Sequence, residues 1–190
     1  MTRVRVACVV CGVAFVVAAC GAMSDEQAAP AAQQRDGRAT ATDVQCVVAK
    51  LADGDSFTCA DGRKVRLLLI DAPELHQKPW GLTAKRQLES VMGPGITVRL
   101  ELDRNPLDRY GRTLAYAWVD TLMVNNWMVA NGWAVVLAYE NVRHLDELQR
   151  AERAAQSAKK GFWQAWAFRC RPVDYRAHRC GDAPAASRRR

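Results

Sequence analysis

The sequence predicts an α+β fold that is mainly β, a five-stranded barrel of the OB type with about three helices packed on it. Three observations carry that expectation. Five short β-prone runs occur, at residues 44–51, 56–59, 65–70, 96–102 and 113–119. Asp53-Gly54 and Asp61-Gly62 separate the first three, and Asp-Gly between such runs is a strong hairpin signal, so those strands are expected to be antiparallel neighbours in chain order. Amphipathic stretches at 82–92, 124–130 and 145–160 are interspersed with the strands, which suits a small closed barrel carrying helices on its outside.

The chain has 190 residues and a formal net charge of +7, enough length for one well-packed domain with extensions. A basic balance of this size favours a polyanionic partner only slightly. Residues 1–20 read as a targeting segment. Arg3 and Arg5 precede an uncharged apolar run from Val6 to Ala19, which is shorter than the roughly 20 residues that span a bilayer. Val17-Ala18-Ala19-Cys20 resembles a bacterial lipobox, in which Cys20 would be lipidated and become the new N-terminus; the alternative is ordinary cleavage nearby with Cys20 incidental. Residues 21–43 contain no aromatic side chain and read as a flexible linker. A domain is expected over 44–166, followed by a basic C-terminal tail, 167–190.

Cys8 and Cys11 lie inside the apolar run and are not read as a redox motif. With Cys20 lipidated, Cys46, Cys59, Cys170 and Cys180 remain. An even number in an exported chain suggests disulfides, and four cysteines allow three connectivities. Cys46 and Cys59 flank Asp53-Gly54 almost symmetrically and could face each other across a hairpin, leaving Cys170 and Cys180 to close the tail. The alternatives are four buried thiols or a metal site, and the lack of a CxxC pair or of nearby paired histidines argues against zinc.

The individual elements follow from local pattern. Val44 to Leu51 and Ser56 to Cys59 form the first hairpin. Val65 to Ile70 is aliphatic except for Arg66 and reads as a strand buried on both faces. It ends in Asp71, and Pro73 takes the backbone out of the sheet before Glu74. Leu82, Leu88, Val91 and Met92 stripe a helix that Gly93-Pro94-Gly95 ends. Ile96 to Leu102 alternates as a half-exposed strand, residues 103–111 read as a loop, and Thr113 to Val119 is the fifth strand. Val124 to Ala130 is a short helix stopped by Asn131-Gly132, and Leu145 to Lys160 is a longer one capped by Gly161.

The residues with chemistry gather at two bends. Asp53, Asp55, Asp71 and Glu74 supply hard oxygen donors of the kind calcium takes, together with backbone carbonyls and water. Arg66 and Arg112, the latter in Asp108-Arg109-Tyr110-Gly111-Arg112, could grip a phosphate from two sides. Each residue also has an ordinary use. Asp53 and Asp55 suit a tight turn, Glu74 after a proline can simply be solvated, Arg66 can be a buried ion pair with one of these acids, and Arg112 can be a surface cation. One geometric difficulty stands out: in a flat strand Arg66 and Asp71 have opposite parity and face opposite sides, so they converge only if the chain bends or bulges before Pro73.

Asp53-Gly54-Asp55-Ser56, then Arg66 through Glu74, then Asp108 through Tyr116, in this order and spacing, resemble the staphylococcal nuclease (thermonuclease) family. Val124-Asn125, Asn131-Gly132 and Gly161-Phe162-Trp163 continue the likeness, which covers about Asp43 to Trp163. The resemblance implies an OB-fold, calcium-dependent nuclease, a monomer that hydrolyses DNA and RNA to products with 3′-phosphate ends. It implies Asp55, Asp71 and the Ala72 carbonyl as calcium ligands with Asp53 just behind them. Glu74 would be the general base or orient the attacking water, Arg66 and Arg112 would stabilise charge at phosphorus, and Arg109, Tyr110 and Tyr139 would contact phosphate or nucleotide. The chain departs from the family pattern beyond the fifth strand, where only Tyr139 stands for a tyrosine pair. Arg109 stands where lysine is common, Ser56 where threonine is, and the basic loop after the glutamate is reduced to 76–81. The expected localisation is the cell envelope, through the lipid anchor, or the secreted fraction. The competing expectation is a non-catalytic OB-fold lipoprotein that binds nucleic acid, and the joint presence of Asp55, Asp71, Glu74, Arg66 and Arg112 argues against it. Glu74→Gln and Arg66→Ala are both expected to lose turnover while leaving the fold intact. The tail arginines, Arg169, Arg171, Arg176, Arg179 and Arg188 to Arg190, are expected either to touch phosphates or to be solvated.

Overall fold

The computed structural model describes residues 43–138, 141, 143–164 and 170–180. The targeting segment, Cys20 and nearly all of the linker lie outside the described residues.

Strands β1 (Asp43–Leu51), β2 (Ser56–Cys59) and β3 (Lys64–Leu67) form an antiparallel meander, as the two Asp-Gly signals predict. On its other edge β1 pairs antiparallel with β5 (Thr97–Leu107), and β5 pairs with β6 (Thr113–Val119). The barrel closes where β6 runs parallel to β3, with Arg66 opposite Leu114. Closure leaves these five strands without a free edge, which a small sheet would otherwise have to protect. A short β7 (Leu122–Met123) pairs antiparallel with the end of β6, and β4 (Ile70–Asp71) forms a separate pair with β8 (Val135–Val136).

Helix α1 (Trp80–Met92) buries Gly81, Ala84, Leu88 and Met92, one helical stripe, against the barrel. Helix α2 (Val124–Ala130) packs on β6 and on α3 (Leu145–Ser157), which also packs on β8. The core joins Phe57, Val65, Leu67 and Leu100 of the strands to Leu88, Met128, Leu148 and Phe162 of the helical layer, all essentially without exposure. Cys46 and Cys59 are bonded across β1 and β2, and Cys170 is bonded to Cys180, so the expected pairs are both present.

The structure corrects three expectations. Four α-helices are described instead of about three, because α4 (Pro172–Arg176) folds within the stretch expected to be a basic tail. Residues 103–107 continue β5 rather than forming a loop. The register shifts between Leu102 and Leu107, and pairing resumes at Leu107 opposite Thr113, so the strand reaches the barrel rim. The run Val65 to Ile70 is two strands, not one. Leu69 adopts φ 59, a left-handed conformation that breaks the ladder between Leu67 and Ile70.

Candidate active site

The break at Leu69 gathers the charged residues. Past it the chain is re-aimed, so the alternation that would separate Arg66 from Asp71 no longer applies. Arg66 Nη1 donates to the carbonyls of Leu67 and Ile70, at 2.6 and 2.7 Å, wrapping the bend around its own guanidinium. Its Nε lies 3.1 Å from Asp55 Oδ1 and its Nη2 3.3 Å from Asp71 Oδ1. The buried ion pair is therefore realised with two acids at once. Asn125 supports the bend from α2: its Nδ2 donates to the Leu68 carbonyl, and its Oδ1 accepts from the Ala117 amide.

Asp55 comes from the β1–β2 connection. Its amide donates to Asp53 Oδ1, its Oδ1 accepts from the Ser56 hydroxyl, and its Oδ2 accepts from the Ala72 amide at 2.7 Å. The last bond ties the hairpin turn to the chain leaving β4. Gly54 serves packing here: a Cβ on it would lie 2.7 Å from the Cβ atoms of both Ala72 and Ala84. The glycine lets α1 and the Ala72 segment close onto the turn. Gly81 does the same one loop further on, where a Cβ would run into the Glu74 carbonyl. Burial, with the neighbouring Asp55 carboxylate, pushes the Asp53 carboxyl up to about 7. Burial also pushes Asp71 up, against the pull of the Arg176 and Arg66 guanidinium groups.

Asp53, Asp55, Arg66, Ala72 and Glu74 line one groove of about 1130 Å³, and Arg109, Tyr110 and Arg112 stand along the same groove. Asp71 lies fully buried beside it. Arg112 is held by Asp108: its Nε donates to Oδ2 at 2.7 Å, and its amide donates to Oδ1. The bonds to Asp108 outweigh that group's burial and hold its carboxyl below the usual range. Arg109 stacks on the Tyr110 ring and donates to its hydroxyl, and Tyr110 is 68% exposed. The predicted catalytic and phosphate-contacting residues within the described chain thus line one groove, as do Asp53, Asp55 and Ala72, with Asp71 buried beside it. Tyr139 lies outside the described residues.

One residue at the site was not singled out by the sequence. Arg176, on α4, places Nη1 and Nη2 each 2.9 Å from the two oxygens of Asp71, and its Nη1 donates to Glu74 Oε1 at 2.7 Å. The even cysteine count was a partial signal, since it implied that the tail is closed into a loop. Nothing local said where the loop would sit. Arg179 of the same loop pairs with Asp174, so these two tail cations have carboxylate partners rather than solvent alone.

The donors near Arg66 are carboxylate and carbonyl oxygens, the chemistry that suits calcium. Among the described residues no three His, Cys, Asp or Glu side chains already form a metal cage. Burial is the main reason the Asp53 and Asp71 carboxyls are pushed up, and the nearby Asp55 carboxylate adds to both. Asp55, Asp71 and the Ala72 carbonyl are oxygen donors of the type a hard divalent ion takes.

Comparison with known proteins covers most of this barrel. Residues 64–165 match the family model described as staphylococcal nuclease homologue, a span that begins after Asp53 and Asp55. A thermonuclease of Staphylococcus hyicus is 32% identical over 140 residues, covering 67% of this chain and 80% of that protein. A thermonuclease of Staphylococcus intermedius is 32% identical over 127 residues, covering 62% of this chain and 75% of its own. Endonuclease YncB of Bacillus subtilis is 32% identical over 131 residues, with 63% of this chain and 62% of that one covered.

Proposed function

The chain belongs to the staphylococcal nuclease family and is a nuclease, a hydrolase, and from that premise we propose that it is an exported, calcium-dependent phosphodiesterase that cuts DNA and RNA to products with 3′-phosphate ends. The observation that carries the reading is the meeting of Asp55 and Asp71 on one guanidinium, Arg66, beside a groove that Glu74 and Arg112 also line. A module that only bound nucleic acid would gain nothing from carboxylates facing a phosphate.

In this reading the scissile phosphate lies in the groove between Arg66 and Arg112. Arg66 presents Nη2, since its Nη1 is committed to two carbonyls of the bend. Arg112 is oriented by Asp108 and reaches the phosphate from the other side, so charge gathering on the phosphoryl oxygens meets fixed donors. Glu74 takes a proton from the attacking water or orients it. Water adds to phosphorus, the P–O5′ bond breaks, O5′ leaves as the alcohol with a proton drawn from solvent, and the phosphate stays on O3′. Calcium, held by Asp55, Asp71 and the Ala72 carbonyl, would supply charge neutralisation and Lewis acidity at a phosphoryl oxygen. Unaided phosphodiester hydrolysis is slow enough that on the order of 15–20 kcal/mol must be removed from the barrier. General-base help of about 10²–10⁴-fold accounts for roughly 3–5 kcal/mol of that. Electrostatics and positioning must supply the larger part.

A nuclease assay on single-stranded DNA and on RNA tests the proposal. Hydrolysis should require calcium, stop on chelation and leave 3′-phosphate ends. Glu74→Gln should lower kcat by about 10²–10⁴-fold with little change in KM. Protein that binds DNA and never cuts it with calcium present would favour the non-catalytic reading.

Export rests on reading residues 1–20 as a targeting segment, and the two disulfides are in keeping with an oxidising compartment. We place the mature protein in the cell envelope, a monomer anchored through lipidated Cys20. Mass spectrometry of the mature N-terminus should find a diacylglycerol-modified Cys20, and an unmodified start downstream of it would remove the anchor.

A further inference from the structure

Arg176 takes no part in the proposed chemistry, yet it holds the two acids that chemistry needs most. Its fork covers both oxygens of Asp71, whose side chain is 1% exposed, and its Nη1 also engages Glu74. Those carboxylates in turn hold the guanidinium charged, above its already high range. The arm carrying Arg176 is itself seated: Cys170–Cys180 closes a loop around α4, and Gln77 Nε2 donates to the Cys170 carbonyl at 2.7 Å. Arg66 already lies against the other side of Asp71.

A carboxylate whose two oxygens are both in a bidentate guanidinium fork has little left to offer a divalent ion. A guanidinium and a divalent cation on the same carboxylate would also repel each other across a few ångströms in a poorly screened site. We infer that Arg176 is an internal cation competing with calcium for Asp71, so that the C-terminal arm must lift before the ion is bound. The inference rests on the calcium reading above. The disulfide loop gives the competition its strength. A guanidinium on a free tail would pay the ordering cost of a flexible segment each time it docked, whereas a short closed loop keeps it near its partners. The arm therefore sets the calcium concentration at which Asp71 becomes available, and it withholds Glu74 in the same state.

Calcium titration by calorimetry on the mature protein, without nucleic acid, tests this. Arg176→Ala should bind calcium about tenfold or more tightly than wild type, the scale of a charge-assisted bidentate contact. The Cys170→Ser, Cys180→Ser double variant keeps the arginine and should shift affinity the same way by less. In the unaltered protein, amides of residues 173–177 should exchange hydrogen for deuterium faster once calcium is added. Equal or weaker binding by Arg176→Ala, or exchange of the arm that calcium leaves unchanged, overturns the inference while the calcium reading stands. Absence of calcium binding in both proteins overturns the two together. A double-serine variant indistinguishable from wild type would remove the disulfide from the account.

Discussion

At the scale of single residues, Arg66 decides most. An arginine in an aliphatic run points to chemistry, and the sequence leads one to expect that Arg66→Ala reduces turnover by orders of magnitude while leaving the fold intact. The structure revises the second half. Arg66 neutralises Asp55 and Asp71, both buried, and bonds the two carbonyls of the bend between them. Removing it leaves buried carboxylates without that partner, a change that costs about 3–5 kcal/mol in comparable buried pairs. Urea unfolding of Arg66→Ala should show that loss, whereas Glu74→Gln, at a half-exposed position, should unfold close to wild type. If Arg66→Ala kept full stability, the guanidinium would be catalytic alone and the bend would have another support.

At the scale of elements, the important feature is an interruption. The parity argument required a bend before Pro73, and one is present, but Leu69 makes it rather than the proline. A left-handed leucine costs on the order of 1–2 kcal/mol, offset here by hydrogen bonds from Arg66 and Asn125 to the carbonyls on either side. Arg66 sits in the run itself, but Asn125 acts from 57 positions away, where local pattern does not see it, so the run read as one continuous strand. Asp53-Gly54 shows the reverse case, in which the location of the turn was legible and the reason for its glycine was not. The residue clears the approach of Ala72 and Ala84. Gly54→Ala should destabilise the fold by about 1–3 kcal/mol, as overpacking does, and should weaken calcium binding by displacing Asp55 from the Ala72 amide. Thermal melting with and without calcium would separate the two effects.

At the scale of the whole molecule, a second polar cluster fastens the helical layer to the barrel. Glu101 of β5 accepts from Trp118 Nε1 on β6 and from Arg143 Nη1, and it contacts His144 Nε2 just ahead of α3. Burial pushes its carboxyl up, but these bonds outweigh that and hold it below the ordinary glutamate value. A carboxylate depressed in the folded state stabilises the protein above its unfolded pKa, and the contribution is lost as pH falls through the folded value. The urea midpoint of wild type should therefore drop on acidification below the ordinary glutamate range, and Glu101→Gln should flatten that part of the profile while lowering stability near neutrality. By itself the sequence determined the five barrel strands and the three longer helices in their order, the pairing of the cysteines as one of three choices, and the inventory of acids and arginines. Those depend on periodicity, turn chemistry and motif spacing, all short-range. Only the tertiary structure decided the parallel closure of β3 on β6, the meeting of Asp55 with Ala72 across 17 positions, and the seat of Arg176 on Asp71 across 105. Contacts of that reach are selected by burial and charge in the assembled barrel, and no local stretch of the chain encodes them alone.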